Sequence, residues 1–243
     1  MLDKVRAVVL RVVKYGDSNR IVDMYTDTVG RSSYIIRYAR NSRQRGTGGT
    51  LYMPLSLVEF ESCSVKQGRL SKVTEAKQLY PLSAIQFSPV KSSIALFLSE
   101  FLCYALREER ESASLFAYLV YSIRWLNDCR EEQASNFHLV FLMRLSRFLG
   151  VYPNLDGYGV GCYFDLVDAA FVETCPTHTA YLAPAEAAYV KILMRMNYET
   201  MHLFAFSRVQ RVRCLEVLNQ FYSLHIPNFP LLKSLGILRE LFD

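Results

Sequence analysis

The alternation of hydrophobic and polar positions changes near residue 80. Before Pro81, apolar residues alternate with polar ones or form short runs bounded by turn signals, a pattern typical of β-strands. Five strands are predicted, at Lys4–Lys14, Arg20–Thr26, Arg31–Ala39, Leu51–Val65 and Arg69–Gln78. Short strands with tight turns and one longer loop predict a small closed β-barrel.

After Pro81, apolar residues recur at helical spacing. Helices are predicted at Ser88–Glu109, Ser112–Asn127, Ser135–Leu149, Pro184–Asn197, Ser207–His225 and Leu231–Phe242. Residues 151–183 break this pattern with several Gly and Pro residues, and we expect an irregular excursion with a short hairpin through Tyr163–Val167 and Ala170–Glu173. The predicted fold class is α+β and multidomain, with a five-stranded barrel over residues 1–80 and a helical domain over 81–243.

Positive charge is concentrated in the predicted barrel. Residues 1–80 contain 14 Lys/Arg and 7 Asp/Glu, a net charge of +7, whereas the whole chain carries +5. A basic domain attracts polyanions through phosphate contacts and counterion release. The alternative is a basic surface that serves solubility alone.

The chain is predicted to be a cytoplasmic protein. Its six cysteines are irregularly spaced, without a CxxC pair, as expected for free thiols in a reducing compartment. The apolar run near the N-terminus is short and interrupted by Arg11 and Lys14, unlike a signal peptide. No apolar run is long enough to predict a transmembrane helix.

Catalytic motifs are missing from the sequence. The glycine-rich stretch Gly46–Gly49 lacks the Lys-Ser/Thr pair of a phosphate-binding loop, and no GxSxG or HExxH motif occurs. The chain has only four histidines. We therefore expect a protein that is not an enzyme and needs no cofactor.

A metal site in the excursion is also not expected. Cys162, Cys175 and His178 fall there, and Cys175 and His178 have C-x-x-H spacing. A structural zinc ion takes four ligands, usually as two such pairs, and the second pair is missing. Buried or surface cysteines without metal are the preferred interpretation.

Basic and aromatic residues are interleaved around the third predicted strand and the following loop. Arginine neutralises phosphates, and tyrosine offers a flat surface for unstacked bases. The predicted DNA-binding residues are Lys14, Arg20, Arg31, Arg37, Tyr38, Arg40, Arg43 and Arg45, gathered on one face of the barrel. The alternative is that the tyrosines belong to the barrel core and the arginines to a solvated rim.

A second basic spot is predicted on the third helix. Arg144 and Arg147 lie one turn apart on an otherwise apolar helix that also carries Phe141. A cationic spot beside an apolar groove suits the acidic, apolar tail of a partner protein. Pairing with glutamates of neighbouring helices is the alternative.

Four segments spread along the chain form a recognisable set. The first two are Val9–Arg31 (VLRVVKYGDSNRIVDMYTDTVGR) and Ala39–Leu51 (ARNSRQRGTGGTL), and the last two are Leu142–Leu155 and Phe229–Leu235. In the same order, these segments resemble the opening strands, the basic loop and two downstream signatures of the bacterial RecO family of recombination mediators.

The resemblance implies an N-terminal OB-fold followed by a helical domain, which is interrupted at 151–183 by a degenerate zinc-finger-like segment. It implies binding of single- and double-stranded DNA, strand annealing and recombinase loading onto DNA coated with single-strand-binding protein. The implied partners are RecR and the C-terminal tail of single-strand-binding protein, and the implied location is the bacterial cytoplasm at the nucleoid.

Many family members carry two CxxC pairs that bind zinc. Here the excursion keeps only Cys175 and His178 of the second pair, so the chain resembles a zinc-free branch. A protein–protein adaptor whose barrel does not bind DNA is the alternative function.

Overall fold

The computed structural model describes residues 2–37, 51–63 and 70–241, and its contacts divide the chain into two compact units. The first unit contains the residues up to Asp128 together with Leu232–Leu241, and the second contains Cys129–Leu231. The contacts therefore do not divide the chain at the predicted boundary near residue 80. The division into a barrel domain over residues 1–80 and a helical domain over 81–243 stays a prediction.

One curled sheet forms the front of the first unit. Its strands are β1 (Leu2–Tyr15), β2 (Asn19–Thr26), β3 (Gly30–Arg37), β4 (Leu57–Cys63), β5 (Ser71–Lys72) and β6 (Thr74–Gln78), in the order β5-β3-β2-β1-β4-β6. The β3–β5 pair is parallel and the other pairs are antiparallel. The first two predicted strands are confirmed, the third is confirmed as far as Arg37, and the α+β class is confirmed.

The described sheet has six strands instead of five because the last predicted strand is split at Val73. Its N–H donates a hydrogen bond to the carbonyl of Ile35 on β3, at 3.1 Å. The next residue, Thr74, donates its hydroxyl to the carbonyl of Glu61 on β4, at 2.9 Å. The segment 71–78 therefore connects β3, near one end of the strand order, to β4, near the other.

The predicted strand Leu51–Val65 is wrong in its first part, since only Leu57–Cys63 is extended within the described residues. Pro54 has no N–H for a ladder, and Leu55 has a φ of 62°, in the left-handed region. The backbone N–H of Leu55 still donates to the carbonyl of Val9, at 2.9 Å. The segment is thus a turn attached to β1.

Every second residue along the strands points into the hydrophobic core on the concave side of the curled sheet. Val9 on β1 and Met24 on β2 are fully buried, and Tyr34 on β3 meets Phe60 on β4 edge to face with ring centroids 4.9 Å apart. Because side chains on a strand alternate between faces, this core fixes which residues of each strand point outward.

The helices are α1 (Ser83–Phe87), α2 (Pro89–Ala105), α3 (Ala113–Asp128), α4 (Phe137–Phe148), α5 (Pro184–Arg195), α6 (Arg208–His225) and α7 (Ser234–Leu241). Six correspond to predicted helices, and α1 was not predicted. The helix α2 begins at Pro89 after the Ser88 side chain, which accepts a hydrogen bond from the N–H of Lys91. None of the described helices is both long enough and apolar enough to cross a membrane.

The linker between α2 and α3 is bound to the start of β3. The carbonyl of Glu109 accepts a hydrogen bond from the N–H of Arg31, at 3.1 Å, and that of Arg110 accepts one from the Tyr25 hydroxyl, at 2.9 Å. Gly30 sits directly against this linker. The sheet and the first helices consequently belong to one unit.

The second unit contains α4, α5, α6 and a small sheet of β7 (Tyr163–Asp165), β8 (Ala170–Val172) and β9 (Tyr181–Leu182), in the order β8-β7-β9. The hairpin predicted in the excursion is confirmed as β7 and β8. Pairing of β9 with β7 was not predicted. A 3₁₀ helix at Glu131–Asn136 precedes α4, which begins two residues later than predicted.

Candidate nucleic-acid interface

Basic residues lie at one end of the sheet, where β1 and β2 meet in a hairpin. Lys14 on β1 pairs in register with Arg20 on β2, directly across the ladder. Like charges directly opposite each other destabilise a strand pair. A bound polyanion would remove that cost, so the pair is a candidate phosphate contact.

Arg37 and Lys72 extend the basic end across two more strands. Arg37, the last described residue of β3, is exposed and lies opposite Asn19. Lys72 on β5 is exposed and lies opposite Ile35. Neighbouring strands are about 4.8 Å apart, so four adjacent strands contribute a cation near the same end.

The cations share an end of the sheet rather than one face of it, contrary to the sequence-based expectation. Lys14 and Arg20 fall on the face that carries the buried Val22 and Tyr34. Arg37 falls on the opposite face, since strand neighbours alternate. A nucleic-acid backbone would therefore have to pass around this end.

The hairpin also exposes apolar and aromatic side chains that the sequence analysis did not select. Tyr15 is 52% exposed and Val13 42% exposed, and both lie on the outer face with Arg37. Exposed aromatic rings beside cations can stack on unpaired bases. The alternation of Arg11, Val13 and Tyr15 along β1 was the signal that could have identified them.

Arg31 is a poor phosphate contact, although the sequence pattern selects it. Its side chain is only 12% exposed, and its Nη2 lies 3.0 Å from Oδ2 of Asp23. Arg11 approaches the same carboxylate, with its Nη2 at 2.7 Å, and the Ser33 hydroxyl donates to the other oxygen at 2.5 Å. The charge of Arg31 is thus largely offset inside the sheet.

Asp23 itself stays ionised at neutral pH. Burial alone would raise the pKa of this carboxyl, but the Ser33 hydroxyl and the guanidinium groups of Arg31 and Arg11 outweigh burial and lower the pKa below its ordinary value. Asp23 therefore acts as a fixed anion that organises the outer face of β1, β2 and β3.

Four of the predicted DNA-binding residues, Tyr38, Arg40, Arg43 and Arg45, lie outside the described residues. Their assignment stays a prediction. In the sequence they follow Arg37, the last described residue of β3.

Comparison with known proteins identifies the family over nearly the whole chain. Residues 1–82 match the model described as Recombination protein O N terminal, and residues 86–235 match Recombination protein O C terminal. The DNA repair protein RecO of Phocaeicola vulgatus is 52% identical over 243 residues, with 100% of both chains covered. Those of Bacteroides fragilis and Porphyromonas gingivalis are 51% and 36% identical, with 100% and 98% of both chains covered. The chain belongs to the recombination protein O family.

The second basic spot predicted for this family member does not form a groove with Phe141, which is completely buried inside α4. Arg144 is half-buried and its Nη2 donates to the carbonyl of Met196, at 3.2 Å. Arg147 is exposed. An apolar anchor at Phe141 is therefore unavailable to a partner's tail, because the ring faces the interior of the second unit.

In this recombination protein O chain, the ring nitrogens of His178, which has C-x-x-H spacing from Cys175, are hydrogen-bonded to other protein atoms. His178 Nδ1 accepts a hydrogen bond from the N–H of Ala180, so Nε2 donates to Oδ2 of Asp165, at 3.0 Å. Asp165 also accepts hydrogen bonds from the N–H groups of Val167 and Asp168. Within the described residues, no group of three or more His, Cys, Asp or Glu side chains is placed to hold a metal ion.

Proposed function

We propose that this protein is a recombination mediator in DNA repair that binds single- and double-stranded DNA. Membership of the recombination protein O family supports this function, and the observation that carries the DNA-binding site is the cluster of Lys14, Arg20 and Arg37 at one end of the sheet. The cations contact phosphates with little sequence preference, because phosphate contacts carry no base information.

The barrel is of the OB-fold kind. In support, the segment 71–78 bends at Val73 and hydrogen-bonds to β3 and β4 in succession, as one strand closing a five-stranded barrel would. OB-folds bind single strands by combining a basic groove with aromatic platforms. Tyr15, and Tyr38 in the basic loop, are the proposed platforms.

The protein anneals complementary strands and assists recombinase loading onto DNA coated with single-strand-binding protein. Neutralised strands repel each other less, so a basic surface favours pairing. RecR and the tail of single-strand-binding protein are the proposed partners. No nucleotide hydrolysis is part of this function, and the protein acts in the cytoplasm at the nucleoid.

The DNA-binding proposal is tested by neutralising the basic end of the sheet. The triple variant Lys14→Gln, Arg20→Gln and Arg37→Gln should bind a labelled single-stranded oligonucleotide more weakly in fluorescence anisotropy. Its log–log salt dependence should be shallower by about two, since each phosphate contact contributes about 0.7 to the slope for single strands.

Lys4→Gln is the matched control, because Lys4 is exposed on the same strand β1, ten residues from Lys14 and about 33 Å away along it. It should leave affinity and slope unchanged. A triple variant with the wild-type slope excludes this end of the sheet as the site. Absence of binding by the wild type would favour a protein–protein adaptor.

A further inference from the structure

The Arg and Lys side chains of the second unit differ in their interaction partners: some form ion pairs with acids and others pack against aromatic rings. Arg213 is neutralised by acids, with its Nε 2.5 Å from Oε1 of Glu186 and its Nη1 3.5 Å from Oε2 of Glu216. Arg147 and Lys191 are held by neutral tyrosine rings instead. Because a ring attracts a cation without cancelling its charge, these two remain positively charged sites.

The two cation–ring pairs have short distances. The Arg147 guanidinium carbon lies 4.2 Å from the ring centroid of Tyr152, and its Nη2 donates to the hydroxyl of that ring at 2.7 Å. The Lys191 Nζ lies 3.9 Å from the ring centroid of Tyr158. Each ring holds its cation in one place, which lowers the entropy lost when an anion binds.

The pairs belong to one neighbourhood of the second unit. The hydrogen bond from Arg144 to the carbonyl of Met196 connects α4 to the end of α5. Tyr152 and Tyr158 lie in the segment that leaves α4. Arg195 is exposed and stands one turn after Lys191 on α5, so the two share a helix face.

We call the five residues Arg147, Tyr152, Tyr158, Lys191 and Arg195 the α4–α5 basic surface. Against its three cations, the segment 151–158 contributes one acid, Asp156, whose Oδ2 accepts a hydrogen bond from the Asn154 side chain at 3.3 Å. The surface thus combines three cations with two aromatic rings, the composition that binds single-stranded nucleic acid.

We propose that the α4–α5 basic surface binds a second single strand while the end of the sheet holds the first. This inference rests on the proposed function and deepens it, because two strands bound to one chain are held close enough to anneal. A nucleic-acid strand is the proposed occupant because cations beside aromatic rings bind unstacked bases. The apolar anchor predicted for an acidic tail, Phe141, is completely buried.

The proposal is tested by counting strands per chain. Two non-complementary oligonucleotides of about 12 nucleotides, comparable to one OB-fold site, are titrated into the full-length chain under tight-binding, low-salt conditions. The wild type should take up two oligonucleotides per chain. The variant Arg147→Gln, Lys191→Gln and Arg195→Gln should take up one, and so should the variant neutralised at Lys14, Arg20 and Arg37.

Arg130→Gln is the matched control, because Arg130 is exposed and precedes α4, whose 12 residues span about 18 Å between it and Arg147. It should keep two oligonucleotides per chain. Equal unfolding midpoints exclude misfolding of the variants.

One oligonucleotide per wild-type chain overturns the second surface while leaving the proposed function intact, whereas no binding overturns the proposed function as well. Binding of two oligonucleotides per chain by the triple variant Arg147→Gln, Lys191→Gln and Arg195→Gln would also overturn the inference. If that variant loses binding of an acidic, apolar peptide instead, the surface is a peptide site.

Discussion

Asp23 holds two arginine side chains with one carboxylate. Its side chain is 5% exposed, and it contacts Arg11, Arg31 and the Ser33 hydroxyl. Removing one partner of such a buried group leaves an uncompensated charge, which costs far more than an exposed pair contributes. The stability of the sheet's outer face therefore depends on this residue.

Asp23→Asn should lower the free energy of unfolding at pH 7 by about 3 kcal/mol, because Arg31 is left buried without its anion. Urea denaturation followed by tryptophan fluorescence measures this, since the single tryptophan, Trp125, lies in the first unit. Asp17→Asn, at an exposed turn, should change stability by less than about 0.5 kcal/mol. Equal losses in the two variants would refute the role of Asp23.

The contribution of Asp23 should also depend on pH. Its folded-state pKa is lowered from the ordinary value of 3.8, so the stabilisation is fully present above that value and is lost as the pH falls through the lowered pKa. The difference between wild type and Asp23→Asn should accordingly shrink below pH 4. A difference that is constant down to acid unfolding would contradict this linkage.

At the level of residues, the sequence predicts a basic surface on the sheet but neither its geometry nor how each charge is used. Lys14, Arg20 and Arg37 lie at one end of the sheet but on two faces, where the sequence predicted a single face. Arg31 pairs with Asp23, which is eight positions away in sequence and lies diagonally across the β2–β3 ladder, since Tyr25 is opposite Arg31 and Ser33 is opposite Asp23. The pairing register, which composition does not contain, decides which arginines are neutralised by an acid.

Among the elements, the turn between β2 and β3 depends on the absence of a side chain. Gly30 has a φ of 69°, and a Cβ there would lie 2.4 Å from the backbone carbon of Arg110 and 2.5 Å from the carbonyl oxygen of Glu109. Neither neighbour is a flexible side chain that could move aside. Gly30 thus allows the α2–α3 linker to contact the sheet.

Gly30→Ala should destabilise the first unit by about 3 kcal/mol or more, combining left-handed strain with backbone overlap. Gly16→Ala measures the cost of the left-handed backbone alone, because Gly16 has a φ of 67° with nothing within 4 Å of an added Cβ. Its cost should be about 1–2 kcal/mol. Chemical denaturation of both variants gives the difference, and equal costs would show that the linker can move.

Regular elements were predicted where one pattern dominates. The first three strands and six of the helices have a clear period of two or of 3.6 residues. The failures occur where a single backbone angle or a tertiary contact decides, as at Leu55, at Val73 and in β9. The short helix α1 lacks the length that makes helical periodicity recognisable.

Considering the whole molecule, the chain leaves the first unit at Asp128 and returns to it at Leu232. The return is fixed by Glu100 on α2. Its carboxylate accepts hydrogen bonds from the N–H groups of Lys233 and Ser234, at 3.1 and 2.8 Å, and from the Ser234 hydroxyl. Glu100 therefore caps the first turn of α7, where a negative charge is stabilising.

Glu100→Gln should lower the stability of the first unit by about 1–2 kcal/mol, because an amide keeps one acceptor and loses the charge. The fluorescence transition of Trp125 should shift to lower denaturant. Glu108→Gln, an exposed position in the α2–α3 linker, is the control and should have no effect. An unchanged transition in Glu100→Gln would mean that α7 is held by its apolar contacts alone.

The discontinuous first unit has a consequence for biosynthesis. A ribosome makes the sheet and α1–α3 first, then all of Cys129–Leu231, and only afterwards the segment that becomes α7. Leu238, fully buried when α7 is docked, cannot contribute to a nascent first unit until the second has been translated. The N-terminal part of this protein thus starts folding early and reaches its final stability late.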